Sequence, residues 1–319
     1  MRGAWTEADI PDQTGRTAVV TGANGGLGLE TAKALAAKGA HVVMAARDQA
    51  KAADAEREIR GHAPDASLEI VALDLGDQSS VQDAAATIAG AHPVIDLLVN
   101  NAGVMAMPER KTTDGYEMQL GVNHLGHWTF TAGLLAPLLR SAADGRHPRV
   151  VTVTSVARFT GGPIDPVNPH LAGRYDPWRA YGQAKLANYF FGLGLQQQAE
   201  RAGVDLASLL AHPGLTNTDL QSRTNREGGA GMLGPFFDRV TDVVGMSPVA
   251  GTRMQLRAAT DPTAKGGQLY APAFASFGPA VVRPVLRRWD LQDRIDELWE
   301  VSEQETGVPL DVAEAARSL

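Results

Sequence analysis

The sequence predicts an α/β fold: a doubly wound parallel sheet of about seven strands with helices on both faces. Three observations carry that expectation. Short apolar, β-branched runs alternate with longer Ala-rich amphipathic stretches from residue 17 to about residue 210. Strand–helix alternation of this kind builds parallel β-α-β units with right-handed crossovers. A glycine-rich turn joins the first run to the stretch after it, as expected where a parallel sheet receives a phosphate ligand at its carboxyl edge. Finally, 319 residues at 44% hydrophobic and 20% charged supply one large core, so a single domain over 1–319 is expected.

Residues 1–14 carry acids and prolines where a signal peptide would have a basic start and an apolar middle, and read as a surface arm. Thr17–Thr21 is the first strand and a helix follows to about Lys38. His41–Ala45 is the second, leading into a helix through Glu56 and Ile59. Leu68–Leu73, Val94–Val99, Val150–Thr154 and Val204–Leu210 continue the series, and Gly266–Tyr270 ends it. Residues 216–247 interrupt the regularity with a polar, Gly-rich connection and an apolar stretch from Met232 to Val244. A substrate lid and packing at a subunit interface are both open readings of that segment. Residues 275–319 form a C-terminal extension, in which Arg287 to Glu303 reads as a solvated helix with Leu298 and Trp299 turned inward. Phe190, Phe191, Leu193 and Leu195 mark a helix face that either joins the core or pairs subunits.

Composition excludes several chemistries. The chain has no cysteine, which rules out disulfides, thiolate nucleophiles and zinc–thiolate sites, and a reducing cytoplasmic location fits. A net charge of −7 without a basic stripe argues against a nucleic-acid surface. No stretch reaches the roughly 20 apolar residues of a spanning helix, so no membrane anchor is expected. His124 and His127 stand three apart, but no third ligand of suitable spacing accompanies them. They are expected to be structural, and no metal site is expected.

Thr21-Gly-Ala-Asn-Gly-Gly-Leu-Gly28 is the glycine turn. Gly22, Gly26 and Gly28 would let the backbone turn tightly and approach a pyrophosphate, with Asn24, Gly25 and Leu27 completing the loop and the phosphate charge resting on amides at the helix start. About twenty residues on, an NAD-selective site places a carboxylate for the ribose 2′-hydroxyl. Here the chain reads Met44-Ala-Ala-Arg47. A guanidinium can pair with a 2′-phosphate, so NADP(H) is expected ahead of NAD(H). Asp48 is expected to cap the next helix, and Asp74 and Leu75, ending the third strand, to meet the adenine.

Tyr181 and Lys185 are four apart in a stretch of helical composition, Ala180 to Asn188, so both project from one face. An ammonium one turn from a phenol favours the phenolate. Lowering its pKa by roughly 3 units takes about 4 kcal/mol, which a close cation in a water-poor cleft supplies.

Together these residues resemble the short-chain dehydrogenase/reductase family. The resemblance rests on the glycine turn, Asn100-Asn-Ala-Gly103, Asn123 in Gly121 to His127, Ser155, Tyr181-x-x-x-Lys185 and Pro213-Gly214, and covers nearly the whole chain. The wording is most similar to retinol dehydrogenases and protochlorophyllide-reductase-like enzymes: Val43 to Asp48, Asn123 to His127, Tyr181 to Asn188 and Leu298 to Gly307. Two departures are Gly25, where many relatives have Ser or Thr, and the lack of an apolar N-terminal anchor.

The resemblance implies a Rossmann-type fold and interconversion of an alcohol with its aldehyde or ketone by hydride transfer. Tyr181 would be the acid/base and Ser155 would bond the same substrate oxygen. Lys185 would lower the Tyr181 pKa and hold the cofactor ribose, and Asn123 would position a water that links Lys185 to solvent. Asn101, Ala102, Gly103, Pro213, Gly214 and Thr216 would join the glycine turn, Arg47, Asp74 and Leu75 around the cofactor. The partner is a small, apolar alcohol or carbonyl compound, and a homodimer or homotetramer is implied. Bland readings stand beside these: Ser155 capping a loop, Asn123 satisfying backbone groups, Pro213-Gly214 making a turn. A non-catalytic NADP-binding sensor on the same fold is the alternative function. Ser155, Tyr181 and Lys185 weigh against it, since a sensor has no need of a proton donor.

Overall fold

The structure, a computed structural model, describes residues 4–216, 246–285 and 289–319. The expected lid, except for its two ends, lies outside those residues. Eight strands form one sheet: β1 (Thr17–Thr21), β2 (His41–Ala46), β3 (Leu68–Ala72), β4 (Leu97–Asn100), β5 (Arg149–Val153), β6 (Ala207–Ala211), β7 (Leu269–Pro272) and β8 (Ala280–Arg283). Their order is β3-β2-β1-β4-β5-β6-β7-β8. All neighbours are parallel except β7 and β8. The sheet therefore has one strand more than expected. β8 follows β7 through a short turn, Ala273 to Pro279, which is too short for a crossover and forces an antiparallel pair.

Helices α1 (Gly26–Ala36), α2 (Gln49–His62) and α3 (Gln78–Ala91) connect the first four strands. The link from β4 to β5 holds α4 (Met118–Leu120), a π-helical turn Gly121–Leu125, α5 (Gly126–Gly133) and α6 (Leu135–Ala143). Then come α7 (Arg158–Gly161), α8 (Pro177–Ala202), α9 (Pro248–Thr260), α10 (Leu291–Thr306) and α11 (Val312–Arg317).

Alternation along the strands divides the core in two. Val19, Val43 and Ala45 face the layer of α3, α5, α8 and α10, whereas Ala18, Val20, Val42 and Met44 face α1, α2 and α9. Both faces are buried, so these strands read as continuous apolar runs. Phe190, Phe191, Leu193 and Leu195 belong to the first of these cores. They bury within the chain. Leu298 is buried and Trp299 stacks on Phe191 at 5.8 Å, as the inward turn of α10 required.

Local chemistry sets the helix ends. The Asp48 carboxylate accepts from Lys51 N and caps α2, as expected. On α8, the Asp176 carboxylate accepts from Arg179 N, Pro177 occupies the first turn, and Gly203 closes the helix in the left-handed region. Strand order reverses between β1 and β4, and the crevice at that reversal, beyond the carboxyl ends of the strands, is where open α/β sheets take ligands.

Candidate active site

The glycine turn lies at the reversal point. Gly22 has φ 69°, and a Cβ on Gly28 would stand 2.2 Å from Gly22 O and 2.7 Å from Asn101 Nδ2. Only hydrogen fits, and α1 begins with the unshared amides of its first turn facing the crevice. That cradle fits a pyrophosphate. Gly25 is different: its φ of 176° suits any residue and a Cβ there meets nothing within 4 Å, so the Ser or Thr of relatives would be accommodated.

The loop is locked to the end of β4. Thr21 Oγ1 accepts from Asn101 N and Ala102 N, both at 3.0 Å, while Asn101 Nδ2 donates to Thr21 O at 2.9 Å. With its acceptor capacity taken, the Thr21 hydroxyl donates to His127 Nε2 at 2.9 Å, and His127 Nδ1 donates to Asn123 O at 3.0 Å. His124 Nε2 donates to Ser302 Oγ at 2.8 Å. Both histidines are thus structural, held neutral by burial with pKa values near 4 for His127 and near 3 for His124.

Arg47 follows β2 and is 69% exposed, its Nη1 3.7 Å from the Asp74 carboxylate that follows β3. Asp74 Oδ1 also accepts from Gly76 N at 2.9 Å, and Leu75 is buried. Across the crevice, Gly214 (φ 77°) packs its backbone against Ser276 O and Pro272, and Thr216 Oγ1 donates to Pro213 O at 3.1 Å. Pro213, Gly214 and Thr216 thereby make a turn at the end of β6, beside the start of α9, whose Gly251 meets Thr216 Oγ1.

The Asn123 side chain satisfies backbone groups. Its Oδ1 accepts from Val104 N at 2.7 Å and its Nδ2 donates to Val104 O at 2.9 Å, so the side chain clamps the strand-end loop after Gly103. It stands in the π-helical turn, where the wider spacing releases the Asn123 carbonyl from the α-helical ladder and His127 takes it instead. Gly103 lies between Asn123 and Lys185: a Cβ there would be 2.6 Å from Asn123 Oδ1 and 3.5 Å from Lys185 Nζ.

Tyr181 and Lys185 occupy successive turns of α8, as their spacing required. The end of β5 fixes them: Lys185 Nζ donates to Val153 O at 3.2 Å, Asn188 Nδ2 donates to the same carbonyl at 3.1 Å, and Thr154 Oγ1 donates to Lys185 O at 2.7 Å. Ser155, two residues past the strand, interacts through its side chain with the Tyr181 hydroxyl, and its Oγ also accepts from Ala157 N at 3.2 Å. One expectation is overturned. Burial pushes the Tyr181 phenol up to about 12, with the Ser155 bond the opposing influence, and Lys185 does not depress it. The ammonium nitrogen lies 5.9 Å from the centroid of the Tyr181 ring. Burial also takes the Lys185 ammonium down to about 8. Desolvation of both groups outweighs their mutual effect.

Four participants were not singled out in the sequence. Gly161 of α7 and Gly182 of α8 meet backbone to backbone: a Cβ on Gly161 would lie 1.8 Å from Gln183 N, and one on Gly182 2.6 Å from Ala157 O. Arg158 donates from Nη1 to Ser155 O at 2.9 Å and lies between the Phe159 and Tyr189 rings. His212, after β6, is held near pKa 4 by burial and the Arg158 charge. The only sequence signal for the glycine pair was a Gly beside the motif tyrosine, which is too common to stand out.

A largely parallel sheet with a glycine cradle at its reversal point is the arrangement in which open α/β sheets take dinucleotides. A family model described as short chain dehydrogenase matches residues 16–228. The chain belongs to the short-chain dehydrogenase family. It is 40% identical to polyprenol dehydrogenase of Mus musculus over 220 residues, 69% of this chain and 65% of that protein. It is 38% identical to retinol dehydrogenase 13 of Homo sapiens over 236 residues, 73% of this chain and 68% of that one. Among solved structures, an uncharacterized protein from Mycobacterium paratuberculosis superposes with a TM-score of 0.76 at 37% identity, covering 96% of this chain and 99% of that one. The chain spans just under two thirds of the length of that polyprenol dehydrogenase, and NAD(P)(H) is the cofactor of the family.

Proposed function

We propose that this chain reduces apolar aldehydes or ketones with NADPH, and catalyses the reverse oxidation as pH rises. The observation that carries the reading is the Ser155 to Tyr181 hydroxyl contact at the carboxyl edge, with Lys185 one turn away. The bound cofactor supplies the hydride. Tyr181, protonated at neutral pH because burial holds its pKa near 12, donates its proton to the carbonyl oxygen that becomes the alcohol. Ser155 Oγ donates a hydrogen bond to that oxygen and stabilises the charge it gathers. Lys185, pinned to Val153 O with its Nζ 5.9 Å from the phenol ring centroid, places a positive charge on the side of the site where it would hold the cofactor ribose. In oxidation Tyr181 must first lose its proton, so that direction gains from alkaline conditions.

An apolar substrate is supported by the rim of the crevice. Phe159, Phe274 and Phe277 are 64%, 66% and 44% exposed, one following Ser155 and two beside the Pro213-Gly214 turn. The polyprenol and retinol in the names of the relatives are long apolar alcohols, which fits that rim. A panel of aldehydes, ketones and alcohols, followed through nicotinamide absorbance with each cofactor, tests the function. NADPH oxidation by apolar carbonyls is expected, and no turnover with any member overturns it.

Preference for NADP(H) rests on Arg47, exposed at the end of β2 with room to pair with a 2′-phosphate. Arg47→Glu removes that cation and leaves two carboxylates, itself and Asp74, facing the phosphate. The ratio of kcat/KM for NADPH over NADH is expected to fall by about a hundredfold, equivalent to about 3 kcal/mol, the strength of a charge-assisted pair. An unchanged ratio means that Arg47 does not read the 2′ position.

A further inference from the structure

The amino edge of the sheet, opposite the cofactor edge, brings together three ligand-type side chains from three elements. In the β2–β3 register Val43 stands opposite Glu69. Side chains alternate along a strand, so His41 shares a face with Val43, and Glu69 falls on that face too. It is the face that α3 covers, since Val43, Val71, Val81, Ala85 and Ile88 share one core. Helix α3 returns to the amino edge and ends at its C-cap residue, His92. His92 Nε2 is 2.7 Å from Glu69 Oε2 and His41 Nε2 is 3.5 Å from the same oxygen. The ligand atoms of all three residues lie within 4.8 Å of one another, the only such group of His, Asp and Glu among the described residues.

His41 shows what chemistry the group invites. Its Nδ1 is 2.8 Å from Ser67 Oγ. With Nδ1–H donating to that hydroxyl, the Nε2 lone pair faces a carboxylate oxygen, acceptor against acceptor, and this buried nitrogen has no hydrogen-bond partner. A cation between the two resolves the conflict, and a ring N–H held by an outer partner is how ligating imidazoles are oriented. The carbonyl end of α3 adds negative potential at the same point.

We propose that His41 Nε2, Glu69 and His92 Nε2 bind a divalent transition metal of the zinc type, with water as the fourth ligand. Two imidazoles and one carboxylate suit zinc rather than calcium or magnesium, which prefer oxygen alone. Bonds of about 2.0–2.2 Å in a tetrahedron separate ligand atoms by about 3.3–3.5 Å, so the His41 and Glu69 spacing already fits and the His92 contact opens by under about 1 Å. Each imidazole gives one lone pair to the metal, and the proton that His92 shares with Glu69 moves to Nδ1 or to solvent. The metal would staple the edge strand β3 to β2 and to the end of α3, far from the hydride chemistry.

The test is calorimetric titration of the metal-free full chain with zinc chloride at neutral pH, beside thermal melts. One site with Kd of about 1 μM or tighter is expected, with Tm rising by about 3–4 °C at a hundredfold excess over Kd. His41→Ala, Glu69→Gln and His92→Ala should each weaken binding by about a hundredfold or more, and Ser67→Ala by about tenfold. His62→Ala, an exposed histidine outside the group, should bind as the parent does. Circular dichroism of each variant confirms folding, and a variant that does not fold is replaced by the conservative His92→Gln. Zinc that fails to bind at about 100 μM overturns the proposal. So does binding that survives the three ligand substitutions, or that magnesium displaces at equal concentration.

Discussion

Replacing Tyr181 with Phe should reduce kcat by at least about a hundred- to ten-thousand-fold while the cofactor binds as before. The substitution removes one oxygen from a buried ring whose packing against Trp178 persists, so the fold is expected to hold. What is lost is the proposed proton donor, and with it the partner of the Ser155 hydroxyl. Steady-state rates with the best carbonyl substrate, beside a fluorescence titration with NADPH, separate the two effects. Turnover within a few fold of the parent means that another group supplies the proton. Because the phenol is held near pKa 12, reduction by the parent should be flat in pH across neutrality as far as Tyr181 is concerned, while alcohol oxidation climbs towards alkaline pH.

The second large effect is on acid stability. Burial is the first cause of depressed pKa values at His124, about 3, and at His127 and His212, about 4 each, against 6.5 for the ordinary imidazole. All three are neutral in the folded chain at neutral pH. On unfolding they return to the ordinary value, so below about pH 6.5 the unfolded chain binds protons that the folded chain refuses, and stability falls as pH falls. Each group contributes up to about 1.4 kcal/mol per pH unit, hence about 4 kcal/mol per unit for the three between about pH 6 and pH 4. Against a total of about 5–15 kcal/mol, the roughly 8 kcal/mol lost over two pH units is a large fraction of the stability. Urea midpoints measured from pH 7 down to pH 5 should drop steeply, and a flat profile would mean that none of the three is held neutral in the fold.

The strands and the cofactor edge were legible in the sequence because their signals are local. Thr17–Thr21 appears as it stood in the chain, and Asp48 caps its helix through a contact three residues away. Tyr181 and Lys185 share a helix face for the same reason. What escaped was non-local or energetic. β8 depends on a turn whose brevity matters only once β7 exists. Whether Phe190 and Phe191 join the core or pair subunits stayed open in the sequence, which does not show that Trp128 and Trp299 cover Phe191. The sign of the Tyr181 shift turned on burial against charge, and only coordinates weigh one against the other. His41, Glu69 and His92 are spread over fifty residues, a spacing that carries no motif, and meet only because strand register and a helix end bring them together.

The contact between Gly161 and Gly182 has a consequence for anyone mapping function by substitution. These two residues carry no reactive atom, yet each faces the other's main chain at a distance where a methyl group has no room. A side chain on either one would act as a shim, lifting the segment that bears Ser155 away from the turn that bears Tyr181 and lengthening a gap on which proton delivery depends. Alanine at Gly182 would keep every proposed reacting side chain in the sequence yet displace them from one another, so a screen that scores loss of turnover would rank an inert hydrogen atom beside the phenol. The working tolerance of this site is set by what was left out of the chain as much as by what was put in.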